Sequence, residues 1–179
     1  MHSFGTPEKM VAFLEAEEAL QSNTIVIVTG DHGEEFFEKG RLGHNSTFVK
    51  EQIHVPLVLH IPGETPRVIE TLTSHLDLPA TLAPRLGVKN SPKDYSLGQD
   101  LLSPEYKRDS TVVCGWDTAA VIAGEYKALL PLGVHSAWTE HRVSNLDDSP
   151  CTKTEEDAFL TNFSSMILRI QQEANKFQP

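Results

Sequence analysis

NTIVIVTGDHG, Asn23 to Gly33, decides how this chain folds. Thr24 to Thr29 form an unbroken β-branched run, the pattern of a strand covered on both faces, as central parallel strands are. Upstream, TPEKMVAFLEAEEAL (Thr6 to Leu20) puts Thr before Pro at a first helical position, has early acids, and sets Met10, Val11, Phe13, Leu14 and Leu20 broadly on one face. That spacing predicts an amphipathic helix. Downstream, HVPLVLHIPG (His54 to Gly63) reads as a second buried strand with a Pro-Gly stop. Helix, strand, loop, strand is the order of a layered α/β fold.

Farther on, SHLDLPATLAPRLGV carries Ser74 and Asp77 at capping-box spacing and ends at Gly87, which predicts a helix disturbed at Pro79 and Pro84. Asp77 and His75 are read as structural. Lys89 to Arg108 is polar and Pro-punctuated, a surface connection. STVVCGW, AAVIA and YKALLPL follow as short strands, the last two joined by Gly124-Glu125 in a tight hairpin. An irregular stretch runs through Pro150. The terminal segment has Thr154 and Asp157 at capping-box spacing and Phe159, Phe163, Met166, Ile167 and Ile170 at helical spacing, a stripe for packing.

With 179 residues, 39% of them hydrophobic and 22% charged, the chain can bury one good core. Its net charge of -10 and lack of a basic stripe exclude a nucleic-acid partner, since phosphate contacts need clustered Lys and Arg. No apolar run reaches the roughly 18 to 20 residues of a transmembrane helix. Cys114 and Cys151 lack CxxC spacing and are read as free thiols in preference to a disulfide.

The loop after the first strand carries the chemistry. Ligands bind at the carboxyl ends of strands in open α/β sheets, and Asp31 and His32 stand there. A carboxylate and an imidazole on a rigid strand end suit a divalent cation, with Gly30 and Gly33 freeing the backbone on either side. The same residues also serve as plain turn chemistry, Asp31 capping and His32 on the surface. Glu34 and Glu35 read as a solvated face, the acidic start of a short helix, or outer support for the site.

IVIVTGDHGEEFFEKGRLGH, EQIHVPLVLHIPG, SHLDLPATLAPRLGV and YSLGQDLL occur in one consistent order from Asn23 to Leu102. Together they resemble the C-terminal half of the sulfatase branch of the alkaline phosphatase superfamily. They are also similar to bacterial inner-membrane sulfatase-like proteins and to phosphoethanolamine or glycerol-phosphate transferases. The resemblance implies an α/β fold: a partial alkaline-phosphatase-like sheet with flanking helices in residues 1–108, and a small C-terminal antiparallel sheet with a terminal helix in 109–179. It implies a divalent metal (Ca, Mg, Mn or Zn) on Asp31 and His32. His44 matches the histidine that contacts the transferred sulfate or phosphate group or its leaving oxygen.

That chemistry needs a Ser, Thr or formylglycine nucleophile. CGWD at Cys114 and CTKT at Cys151 do not fit the maturation signature C/S-x-P-x-R, and the family places its nucleophile in an N-terminal half. The expectation is therefore the C-terminal portion of a metal-dependent hydrolase or transferase of sulfate or phosphate esters, lipid esters included. Its missing N-terminal half is a partner, the isolated chain is inactive, and the location is periplasmic or otherwise extracytoplasmic. The alternative is a non-catalytic sulfatase-fold module that binds lipid or protein.

Overall fold

The computed structural model describes residues 22–44, 47–116, 118–132 and 142–175. The helix expected over Thr6 to Leu20 lies outside them. The fold is mixed α/β, as expected, and divides into two compact units: Met1–Gly33 with His54–Ile69, and Glu34–Ile53 with Glu70–Pro179.

In the first unit, strand β1 (Val26–Thr29) pairs with β4 (Leu57–His60), Val28 opposite Val58. The pairing is antiparallel, where the sequence suggested parallel neighbours. Ile27 is 39% and Val58 55% exposed, so neither strand is covered on both faces. An apolar run reports that side chains can be buried but carries no information on strand direction. The segment joining the two strands holds a short hairpin and a single-turn helix.

The second unit begins with that hairpin, β2 (Glu35–Phe36) and β3 (Leu42–Gly43), and continues through the one-turn helix α1 (Lys50–Ile53). Helix α2 (Asp77–Arg85) is shorter than the run predicted. It closes in a Schellman motif at Gly87 (φ +93°), with Val88 N–H donating to Ala83 O at 3.0 Å and Gly87 N–H to Pro84 O at 3.1 Å. A 3-10 turn at Pro92–Asp94 follows.

Strands β5 (Thr111–Cys114), β6 (Thr118–Ala123), β7 (Tyr126–Pro131) and β8 (Arg142–Asn145) form one antiparallel sheet in sequential order. Gly124 at φ +57° opens the two-residue turn between β6 and β7, the conformation that a primed hairpin turn demands. Strand β8 falls within the stretch expected to be irregular. Its Val143 is the single large apolar side chain in RVSN, too little for an alternating signal.

Helix α3 (Lys153–Asn175) packs Phe159 and Ile167 against Ala119, Val121, Ala128, Leu130 and Val143 of this sheet. Phe163, Met166 and Ile170 flank them as the stripe predicts. Ala120 and Ile122, on the other face of β6, are buried too. β6 is thus covered on both sides.

The start of α3 differs from the expected box. Glu155 accepts from Thr152 N–H and Oγ–H, both at 2.7 Å, while Thr152 Oγ1 accepts from Glu155 N–H at 3.3 Å. Tyr126 of β7 donates to the other Glu155 oxygen at 2.7 Å, and this contact selects Thr152 and Glu155 over Thr154 and Asp157. Thr152→Ala is expected to cost about 1 kcal/mol of stability. Thr154→Ala should stay within about 0.5 kcal/mol of the wild type. Denaturant midpoints of the two variants make the comparison.

Cys114 is exposed and Cys151 half-buried, both as free thiols.

Candidate metal centre and its supporting residues

Asp31 and His32 close the first unit's β1 strand, and their geometry suits a cation. His32 Nδ1 lies 2.9 Å from Gly33 O. A carbonyl oxygen can only accept, so Nδ1 carries the proton and Nε2 of the neutral ring keeps its lone pair. That Nε2 lies 3.7 Å from Asp31 Oδ2. A cation about 2.0–2.2 Å from each of two such ligand atoms holds them about 3–4 Å apart. The other Asp31 oxygen accepts the His32 backbone N–H at 3.0 Å, which steadies the carboxylate. Asp31 is 91% and His32 43% exposed at the side chain, so solvent or another group can reach both.

The glycines work differently from expectation. Neither Gly30 nor Gly33 takes a positive φ. A Cβ at Gly30 would instead meet His32 O at 3.2 Å and Val55 Cγ1 at 3.3 Å, so Gly30 supplies close packing under the loop.

His44 follows β3 in the second unit, so it is built on a different body from Asp31 and His32. Its Nδ1 lies 2.9 Å from Glu34 Oε2, and both side chains are 40% exposed. The carboxylate can accept a hydrogen bond from Nδ1–H, which orients the ring. Gly43, at φ +104°, makes the turn into His44, and a Cβ there would sit 3.6 Å from Glu34 Oε1.

Glu35 is fully buried and was missed as such. Its Oε1 accepts from Lys39 N–H at 3.0 Å and Arg41 N–H at 2.9 Å, and its Oε2 from Gln52 Nε2 at 2.9 Å. Burial alone would raise its pKa. The bonds from Gln52, Arg41 and Lys39, with the Arg41 charge, outweigh burial and hold the carboxyl below its usual range. Glu35 therefore ties the hairpin that bears His44 to helix α1.

Lys127 extends the same framework. It is fully buried, with Nζ donating to Phe48 O at 3.2 Å and Leu146 O at 3.0 Å and pairing with Asp148 Oδ1 at 2.6 Å. Three acceptors match the three protons of the ammonium group. Phe48, two residues before α1, is thereby pinned to β7. No sequence signal marks Lys127, because YKALLPL reads as a strand whatever its lysine does.

Of the other polar residues near these blocks, His54 and His75 are exposed and Lys50 opens α1. Asp77 is fully buried and accepts from Ser74 N–H, Gln99 N–H, Tyr106 Oη–H and Arg108. Its role is structural.

The sequence model of the sulfatase family matches residues 10–88. Inner membrane protein YejM of Salmonella typhimurium strain LT2 and of Salmonella typhi are each 28% identical over 149 residues. That alignment covers 78% of this chain and 25% of each relative. Among solved structures, a candidate sulfatase from Bacteroides thetaiotaomicron VPI-5482 superposes with a TM-score of 0.67 at 17% identity, over 94% of this chain and 40% of the other. A second structure, from work on glycosaminoglycan metabolism by Bacteroides thetaiotaomicron, gives 0.58 at 15% identity, over 86% of this chain and 37% of the other. The chain thus spans about a quarter of the curated relatives and about two fifths of the solved structures it matches.

Proposed function

We propose, for a chain that belongs to the sulfatase-like branch of the alkaline phosphatase superfamily, that it is the C-terminal portion of a metal-dependent hydrolase or transferase acting on sulfate or phosphate esters. Asp31 and His32 hold the divalent cation. His44, oriented by Glu34, offers Nε2 to the transferred group or donates a proton to the departing alcohol oxygen. A bound cation supplies positive charge to the anionic group being transferred. The nucleophile comes from an N-terminal portion of the catalytic domain, so these 179 residues alone have no turnover. The setting is extracytoplasmic, in keeping with relatives named as inner-membrane proteins; among the described residues no helix is long and apolar enough to cross a membrane.

The observation that supports this reading is that two ligand-type atoms, His32 Nε2 and Asp31 Oδ2, lie 3.7 Å apart at the end of β1, with His32 Nδ1 held 2.9 Å from Gly33 O. Calorimetric titration with Zn, Mn, Ca and Mg ions tests it. Loss of an outer-shell partner alone weakens metal sites about 10–100-fold, so Asp31→Ala with His32→Ala is expected to lower affinity by about 100-fold or more. Equal affinity in the two proteins would overturn the assignment of these ligands.

A further inference from the structure

The two cross-strand pairs of the β2–β3 hairpin face opposite ways. Glu35, opposite Gly43, is fully buried, while Phe36, opposite Leu42, is 67% exposed and Leu42 63%. Continuing that register by one residue on each strand sets Glu34 opposite His44, and their side chains do meet, His44 Nδ1 lying 2.9 Å from Glu34 Oε2. Opposed residues of an antiparallel pair share a face, and alternate residues return to it. Glu34, Phe36, Leu42 and His44 therefore stand on one exposed face, with Glu35 bound beneath it to the amides of Lys39 and Arg41. A one-residue slip in register would break up this face and strip Glu35 of its bonds, so the apolar pair and His44 are fixed side by side.

Each residue advances a strand by about 3.3 Å, so the Phe36–Leu42 pair lies about 7 Å from the Glu34–His44 pair. That is the reach of an organic group joined through one ester oxygen to a phosphorus or sulfur atom held at His44. What the face offers such a group is apolar: a phenyl ring and an isobutyl side chain, with neither an amide nor a hydroxyl side chain among its four residues to bond a sugar. Glu34 is engaged by His44. Charges around the tip are mixed, Lys39 and Arg41 standing beside Glu34 and Glu38, all exposed, so apolar area and not net charge distinguishes this face. Phe37 adds to the exposed aromatic area: alternation would turn that ring inward, yet it takes φ +69°, uncommon for an aromatic residue, and is 64% exposed.

We infer, resting on the proposed contact of His44 with the transferred group, that Phe36 and Leu42 form the subsite for the organic group of the ester and select an aryl or alkyl group over a sugar. Phenyl phosphate, methyl phosphate and a glucose phosphate ester are the probes, titrated into the 179-residue chain and followed by the NMR signals of His44 and Phe36. Phenyl phosphate is expected to shift both residues and to bind about tenfold more tightly than methyl phosphate, from burial of its ring. The glucose ester should bind no more tightly than methyl phosphate. Phe36→Ser, at an exposed position, should bring phenyl phosphate down to the affinity of methyl phosphate, with an unchanged thermal midpoint showing that the fold is kept. Equal affinity for the three esters in the wild type, or a phenyl advantage that survives Phe36→Ser combined with Leu42→Ser, would overturn the subsite and leave the role of His44 standing. No shift at His44 with any of the esters would overturn that role and the subsite with it.

Discussion

Gly98→Ala is expected to destabilise the second unit by about 3 kcal/mol or more, at the upper end of overpacking effects. A Cβ at Gly98 would lie 1.8 Å from Leu76 O, 2.3 Å from its carbonyl carbon and 2.7 Å from Asp77 Cα. All three are backbone atoms, so no rotamer change relieves the clash. The approach is close because YSLGQDLL clasps the start of α2. Ser96 Oγ–H donates to Leu76 O at 2.6 Å, Gln99 N–H to Asp77 Oδ1 at 2.8 Å, and Leu101 N–H to Thr81 Oγ1 at 2.9 Å. Moving the segment away to admit a methyl group breaks these bonds together. Gly63→Ala is the control: Gly63 has φ +81° with nothing within 4 Å of its would-be Cβ. That change should cost only the conformational penalty of about 1–2 kcal/mol. Urea melts of the two variants separate steric exclusion from backbone strain.

Asp77→Ala is expected to cost about 3–5 kcal/mol, the range for removing one partner of a buried ion pair. Asp77 is wholly buried and Arg108 is 8% exposed at the side chain. Without the carboxylate, the guanidinium remains in a low-dielectric site with no counter-charge, and the Ser74 and Gln99 amides lose their acceptor. Tyr106 loses one acceptor and keeps Leu72 O, 2.9 Å from its hydroxyl. Asp77→Asn keeps the shape and much of the bonding and should cost less. The same cluster leaves a spectroscopic mark. Burial, with the hydrogen bond to Asp77 and its negative charge, pushes the Tyr106 phenol up to about 12, against the partial opposition of Arg108. A raised folded pKa means that this contribution to stability is complete below the unfolded value of 10.0 and is lost as pH climbs toward 12. Phenolate absorbance should therefore show a late-titrating tyrosine near pH 12 that Tyr106→Phe removes.

How far the sequence could be read depended on the kind of signal. Local signals were legible: the helical stripe of Phe159, Phe163, Met166, Ile167 and Ile170, the turn at Gly124 and the Gly87 stop all occur where propensity and periodicity put them. At Thr152 the local rule failed narrowly, because two overlapping capping boxes fit the sequence and Tyr126, 26 positions from Thr152 in the numbering, chose between them. The pairing of β1 with β4 and the existence of β8 were beyond reach, since partner direction and edge strands depend on what else arrives in space.

The candidate site divides the same way. The residue types and order in DHGEEFFEKGRLGH, read beside the later blocks, make Asp31, His32 and His44 the candidates and were enough to point to the sulfatase-like fold. Nothing in that string distinguishes Glu34 from Glu35, two identical neighbours. The tertiary structure alone sends one to His44 and buries the other under its own hairpin, because alternation along a strand turns adjacent side chains to opposite faces and packing determines which face is interior. Composition and pattern determine what a stretch of chain can do chemically and locally; the burial of Glu35, Asp77 and Lys127, whose charges are tolerable only where partners converge from distant segments, was decided by the assembled fold.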